Sequence, residues 1–163
     1  MKLRHVSPSG QARMVSVAGK TPTKRTARAE AWVSVGPEIA AKLRRSGSVA
    51  KGNVLETARL AGILAAKRTS ELIPMCHPLA LEQVEVEATL DGDRVRLEAS
   101  ATCEGKTGVE MEALTAAAVA ALTVYDMVKS AGKGVEIGPV RLLEKTGGRS
   151  GTWRRGTESR GKS

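Results

Sequence analysis

Residues 106–129 read KTGVEMEALTAAAVAALTVYDMVK, and the rest of the chain has to pack around them. A loop, Gly105-Lys106-Thr107-Gly108, opens into a helix expected from about Val109 to Ser130. The thirteen residues between Glu112 and Asp126 carry no charge. A helix so apolar must be buried on most sides, and a bilayer span needs about twenty such residues. It is therefore expected as a core helix whose alanines let its neighbours come close. Its charges gather at the ends, Glu110 and Glu112 at the start, Asp126 and Lys129 at the finish. Glutamates at the start and a lysine at the finish also do no more than complement the helix dipole. Asp126, in the last turn, opposes that dipole and needs another reason to be there. Glu112, Thr115, Val119, Thr123 and Asp126 share one mildly polar stripe at helical spacing. Sites at both ends of the helix are the expectation.

A chain of 163 residues is long enough for one real core. The expected organisation is a single α+β domain over residues 1–151, followed by a basic, disordered tail over 152–163. With no phenylalanine and three aromatics, the core must be built from Ala, Val, Leu and Ile. Cys76 and Cys103 lack CxxC spacing, so no disulfide framework is expected. Polar residues follow Met1–His5, so no signal peptide is expected and the cytoplasm is the expected compartment. The net charge of +9 fits an anionic partner, a polyphosphate ligand or a nucleic acid. Part of that charge lies in Arg149, Arg154, Arg155, Arg160 and Lys162 near the end, where it says little about a folded site.

In chain order, Ser7-Pro8-Ser9-Gly10 reads as a turn and Arg13–Val17 as a short strand. Lys20–Arg28 reads as a basic, threonine-rich loop. Ala29, Ala31, Val33 and Val35 alternate as one strand face, with Glu30, Trp32 and Ser34 opposite. Gly36-Pro37 starts a short helix that stops near Ser46-Gly47. The loop Ser48–Gly52 carries Lys51, and Asn53 caps a helix expected from Val54 to about Thr69. Leu72–Pro78 is a rigid, proline-punctuated connection. Residues 84–90 and 95–102 alternate around Asp91-Gly92-Asp93 as a hairpin. Val135–Glu144 is a last strand, edge or bulged at Pro139, and Thr146–Gly151 a glycine loop. Mostly antiparallel strands with helices on one face make an α+β sandwich. Taken as βαββαβ, the connectivity is ferredoxin-like.

Gly105-Lys106-Thr107 is not a P-loop, because the motif's first glycine would fall at Ser100. His77 stands in the constrained loop and is a candidate acid/base or phosphate donor; a packed loop histidine is the plainer reading. Adjacent Cys76-His77 without a second ligand pair does not make a zinc site. Lys20, Arg25, Lys51 and Lys145 sit in or beside loops. Each alone reads as a solvated cation; together with Lys129 they could clamp a triphosphate.

Three segments carry a resemblance over roughly residues 5–151: VLETARLAGILAAKRTSELIPMCHPL, GKTGVEMEALTAAAVAALTVYDMVK and IGPVRLLEKTGGRSG. They resemble the molybdenum cofactor biosynthesis protein C (MoaC) family of cyclic pyranopterin monophosphate synthases. The resemblance implies a cytoplasmic enzyme with a ferredoxin-like fold that rearranges 3′,8-cyclised dihydro-GTP into cyclic pyranopterin monophosphate and releases pyrophosphate. It implies no cofactor and no metal, and a homohexamer built as a trimer of dimers with sites at the dimer interface. By motif, Met75-Cys76-His77 and Glu110-Met111-Glu112 match substrate-contacting segments. Asp126 matches a catalytic acid/base, with His77 also catalytic, and Lys51 and Lys129 match lysines at the reaction centre. Lys20, Arg25 and Lys145 match cations near the phosphates.

Two positions depart from the family pattern. Ser16 stands where the family usually has aspartate, and Arg149 replaces a common lysine. Rival readings are a basic nucleic-acid-binding module, which would lack stacking aromatics, and a non-catalytic assembly protein, which leaves Asp126 and Lys129 without a task. Neither nucleic acid nor membrane is expected as a partner. Glu112 and Asp126 lie fourteen residues apart on one helix, about 21 Å. The resemblance assigns both to substrate, so the simplest expectation is a site that takes Met111-Glu112 from one copy and Asp126-Lys129 from its neighbour.

Overall fold

The computed structural model describes residues 9–11 and 14–156. Its elements run β1 (Thr23–Ser34), α1 (Pro37–Ser46), β2 (Ser48–Val49), β3 (Gly52–Asn53), α2 (Val54–Lys67), α3 (Thr69–Leu72), β4 (Gln83–Asp91), β5 (Arg94–Gly105), α4 (Glu110–Val128), β6 (Glu136–Thr146) and β7 (Trp153–Arg154). The main sheet has the order β4-β5-β1-β6-β7, every pair antiparallel. Setting aside α1, α3 and the small strands, β1-α2-β4-β5-α4-β6 is the ferredoxin-like βαββαβ arrangement.

Helix α4 lies across β1, β5 and β6, and α2 packs beside it over β4. Ala27, Ala29, Ala31 and Val33 of β1 meet it from the sheet, all buried. The two helices touch where Gly62 faces Ala116 and Ala120: a Cβ on Gly62 would come within 2.9 Å of the Ala116 carbonyl oxygen. By length and hydropathy α4 would also suit a membrane span, yet ten of its nineteen residues are buried here. Most of its apolar surface lies inside the core, while Met111, Leu122 and Tyr125 stay exposed.

Several elements differ from the sequence expectation. The basic stretch from Lys20 is a strand from Thr23 onward, because Thr23–Arg28 pair residue by residue with Gly105–Ser100 of β5. Its alternation is hidden in sequence, since the face that carries the buried Ala27 and Ala29 carries Thr23 and Arg25 before them, as polar as Lys24, Thr26 and Arg28 opposite. Met14–Val17 form no strand, and Arg13 lies outside the described residues. The loop bearing Lys51 is a tight β2–β3 hairpin, with Lys51 at its turn. The helix expected to reach Thr69 breaks at Arg68 and resumes as α3. Around Pro139 the β1–β6 register shifts between Ala31 and Val33, the expected bulge. The segment expected to begin a disordered tail at 152 instead contains β7, whose Trp153 and Arg154 pair with Lys145 and Glu144. Residues 157–163 lie outside the described residues.

The sheet face away from the helices is covered by ion pairs. Glu30 is buried there, held by Arg96 at 2.9 Å and Arg141 at 2.7 Å. Arg94 stacks over the Trp32 ring, 4.4 Å from its centre.

Candidate active site

The first turn of α4 is where chemistry-bearing side chains converge. Glu112 points inward and is buried, at the floor of a cavity of about 570 Å³. The proline-braced connection after α3 brings Met75, Cys76 and His77 to the same cavity, and Met111 and Glu110 complete that side. Val15, Val17, Ile73 and Leu79 form an apolar wall, and Lys20, Thr107 and Gly108 close the cavity on the remaining side. Burial pushes the Glu112 carboxyl above the usual carboxylate range, helped by the nearby charge of Glu110. The same burial raises the Cys76 thiol, with Glu112 adding to it, so Cys76 is no activated nucleophile.

A second cavity, about 780 Å³, adjoins the first and shares Lys20, Thr107, Gly108 and Glu110 with it. Lys20, Arg25, Lys106, Lys145 and Arg149 line it. Arg25 is aimed by β1, its Nε donating to the Gly105 carbonyl at 3.4 Å. Its guanidinium lies on Gly148, where φ is 70° and any Cβ would overlap it. Lys106 Nζ donates to the Ala18 carbonyl at 3.1 Å and ties the loop before α4 to the segment that carries Lys20. Lys145 Nζ donates to Glu110 Oε1 at 2.9 Å. Lys106 was not singled out as a site residue in the sequence; its signal was a lysine in a glycine loop directly before a helix.

Lys51, Asp126 and Lys129 form a separate cluster at the other end of α4. Lys51 Nζ donates to Asp126 Oδ2 at 2.9 Å and to the Asp126 backbone carbonyl at 2.7 Å. Lys129 Nζ reaches Oδ1 at 2.7 Å. Lys51 gets there because Asn53 caps α2, its Oδ1 accepting the Glu56 N–H at 3.0 Å, and fixes the hairpin on the helix. Lys129, and then Lys51, hold the Asp126 carboxyl down at about 2, and Asp126 in turn raises Lys129. Within one chain the two clusters stay apart, at opposite ends of α4. Ser16 is exposed and accepts from the Ala18 N–H at 3.4 Å, while Val15 and Val17 face the first cavity. Among the described residues no group of three or more His, Cys, Asp or Glu gathers in the manner of a metal site.

The model of the MoaC family matches residues 14–148. The chain belongs to the MoaC family. Every candidate side chain from Lys20 to Lys145 falls inside the matched span; Arg149 and β7 fall just beyond it. A relative in Thermomicrobium roseum, named cyclic pyranopterin monophosphate synthase, is 56% identical over 156 residues, covering 94% of this chain and 93% of its own length. The matched span holds the lysine–aspartate cluster and the lining of both cavities except Arg149 and Ser150.

Proposed function

We propose that the protein is a cyclic pyranopterin monophosphate synthase of molybdenum cofactor biosynthesis, converting cyclised dihydro-GTP into cyclic pyranopterin monophosphate and pyrophosphate. The observation that carries this reading is the pair of adjoining cavities. One joins an apolar wall to His77 and the buried Glu112, suited to a flat ring system; the other is lined, among the described residues, by five cations, suited to a triphosphate. Family membership and the name of the Thermomicrobium relative support the same chemistry.

Each residue has a task in this reading. Lys20, Arg25 and Lys145, joined by Lys106 and Arg149, neutralise charge as the cyclic phosphate forms and pyrophosphate leaves. Met75, Cys76 and Met111 bound the ring. Glu112 retains a proton more readily than an exposed carboxylate, so it and His77 serve proton transfer during ring opening and closure. Asp126, held at about 2, stays ionised near neutral pH and is a poor proton carrier in the free enzyme. It accepts from Lys51 at 2.9 Å and Lys129 at 2.7 Å and so holds both at the reaction centre, and it serves as acid/base there once substrate draws those lysines away.

The two clusters become one site between two copies. Met111, Leu122 and Tyr125 are exposed on α4. Met111 and Tyr125 are each seven residues from Ala118, and Leu114 and Leu122 each four. Two α4 helices crossing antiparallel at Ala118 would match these residues pairwise and bring Asp126 of one copy beside Glu110 of the other. This dimer, three of which make the expected hexamer, works in the cytoplasm. Turnover of cyclised dihydro-GTP, followed by pterin fluorescence after oxidation, tests the function. Absence of a pterin product from folded protein overturns it.

A further inference from the structure

Among the described residues, five cations line the second cavity, and Glu110 is the one carboxylate in its wall. Glu110 also stands in the wall shared with the first cavity. Its pose is specific. The carboxylate folds back over the bare α-carbon of Gly108, where any Cβ would overlap it, and from there it holds Lys145 at 2.9 Å. The backbone at Gly108 is not in the left-handed region, so the glycine there gives the carboxylate room rather than an unusual φ.

We propose that Glu110 is a displaceable counter-anion, occupying on Lys145 the position a phosphate oxygen takes when a polyphosphate fills the cationic cavity. The inference rests on the phosphate reading given above. With the cavity empty, Glu110 relieves the mutual repulsion of the cations. An entering polyphosphate brings several negative charges within reach of the same lysine, and Lys145 changes partner. When pyrophosphate leaves, Glu110 recaptures Lys145 and opposes rebinding of the product. The exchange also reaches the first cavity. Freed from Lys145, Glu110 loses its hydrogen-bonded counter-charge, and Glu112, which already feels Glu110, holds its proton more tightly. Filling the phosphate cavity thereby favours the protonated acid at the ring end. Glu110 is a positioning residue, acting on phosphate through Lys145.

Calorimetric titration of inorganic tripolyphosphate into the full-length protein tests this. Glu110→Gln removes the competing charge; Gly108→Ala keeps the charge and pushes it off Lys145. Both variants should bind tripolyphosphate at least about fivefold tighter than the parent, a usual size for coupled equilibria. In a Lys145→Ala background Glu110→Gln should bring no such gain. A residue with a merely structural role would lower the unfolding temperature and would not tighten binding. If Glu110→Gln tightens binding and Gly108→Ala does not, the effect is general charge and the exchange is wrong. If the parent binds and both variants bind equally or more weakly, the exchange is wrong while the phosphate cavity stands. If the parent does not bind tripolyphosphate, the phosphate reading falls and takes this inference with it.

Discussion

Asp126 and Glu112 are both carboxylates of α4, and their surroundings drive them in opposite directions. Asp126 is exposed and flanked by two ammonium groups that lower it from 3.8 to about 2. A lowered acid stabilises the fold above its unfolded pKa and loses that contribution as pH falls through the folded value. Asp126→Asn should therefore flatten the fall of unfolding temperature between pH 4 and pH 2, and should cut kcat at pH 7 by about 100-fold or more. An unchanged pH slope would refute the ion-pair account. Glu112 is raised by burial, so the folded chain holds its proton more tightly than the unfolded one, and stability declines as pH rises past its ordinary value of 4.5. Glu112→Gln should raise the unfolding temperature at pH 7, by about 2–4 °C for each kcal/mol of relieved burial cost, while turnover collapses. A variant less stable than the parent at pH 7 would mean that the charge is stabilised in a way the fold does not reveal.

Elements depend on how closely α2 and α4 approach. Gly62 permits that approach: a Cβ would sit 2.9 Å from the Ala116 carbonyl oxygen and 3.1 Å from Val86 Cγ2, and neither backbone nor sheet can yield cheaply. Gly62→Ala gains about 1 kcal/mol of helix propensity and loses about 1–3 kcal/mol to overpacking. Denaturant unfolding should show net destabilisation, and a stabilised variant would mean the helices have slack between them. The separation also bears on function, because α2 and α4 run antiparallel here. That is why Lys51, before α2, meets Asp126 at the end of α4, while Cys76 and His77, beyond α3, meet Glu112 at its start.

For the whole molecule, the composite site makes a prediction that no single substitution can. Glu112→Ala and Asp126→Ala proteins should each be inactive. After subunit exchange, a mixed dimer holds one site with both lesions and one with neither. Equal mixing should then restore about a quarter of parental turnover. If exchange is verified by mass and activity does not return, the two ends of α4 do not meet between copies. The rival reading as a nucleic-acid module loses ground at this scale too. Arg28, Arg96, Arg141 and Arg154 on the β-sheet are engaged by Glu30, Glu98 and Glu144, not left free for phosphates.

The amino-acid sequence by itself determined the central helix, the hairpin before it and the family, because these depend on local periodicity and on contiguous motifs. Thirteen uncharged residues drive a helix to bury most of its surface, and alternation around Asp91-Gly92-Asp93 drives pairing. It also supplied nearly every candidate side chain, each within a short motif. Tertiary structure alone decided which of them meet. That Thr23–Arg28 is a strand follows from pairing with β5, some seventy to eighty residues away in the chain, and no local signal marks it. That Trp153 and Arg154 return to the sheet is decided by β6 in the same way. Lys106 joins the cationic cavity, and Glu110 comes to hold Lys145, through loops that bring residues thirty-five or more positions apart into contact. Proximity of that kind comes from packing, and sequence spacing does not encode it.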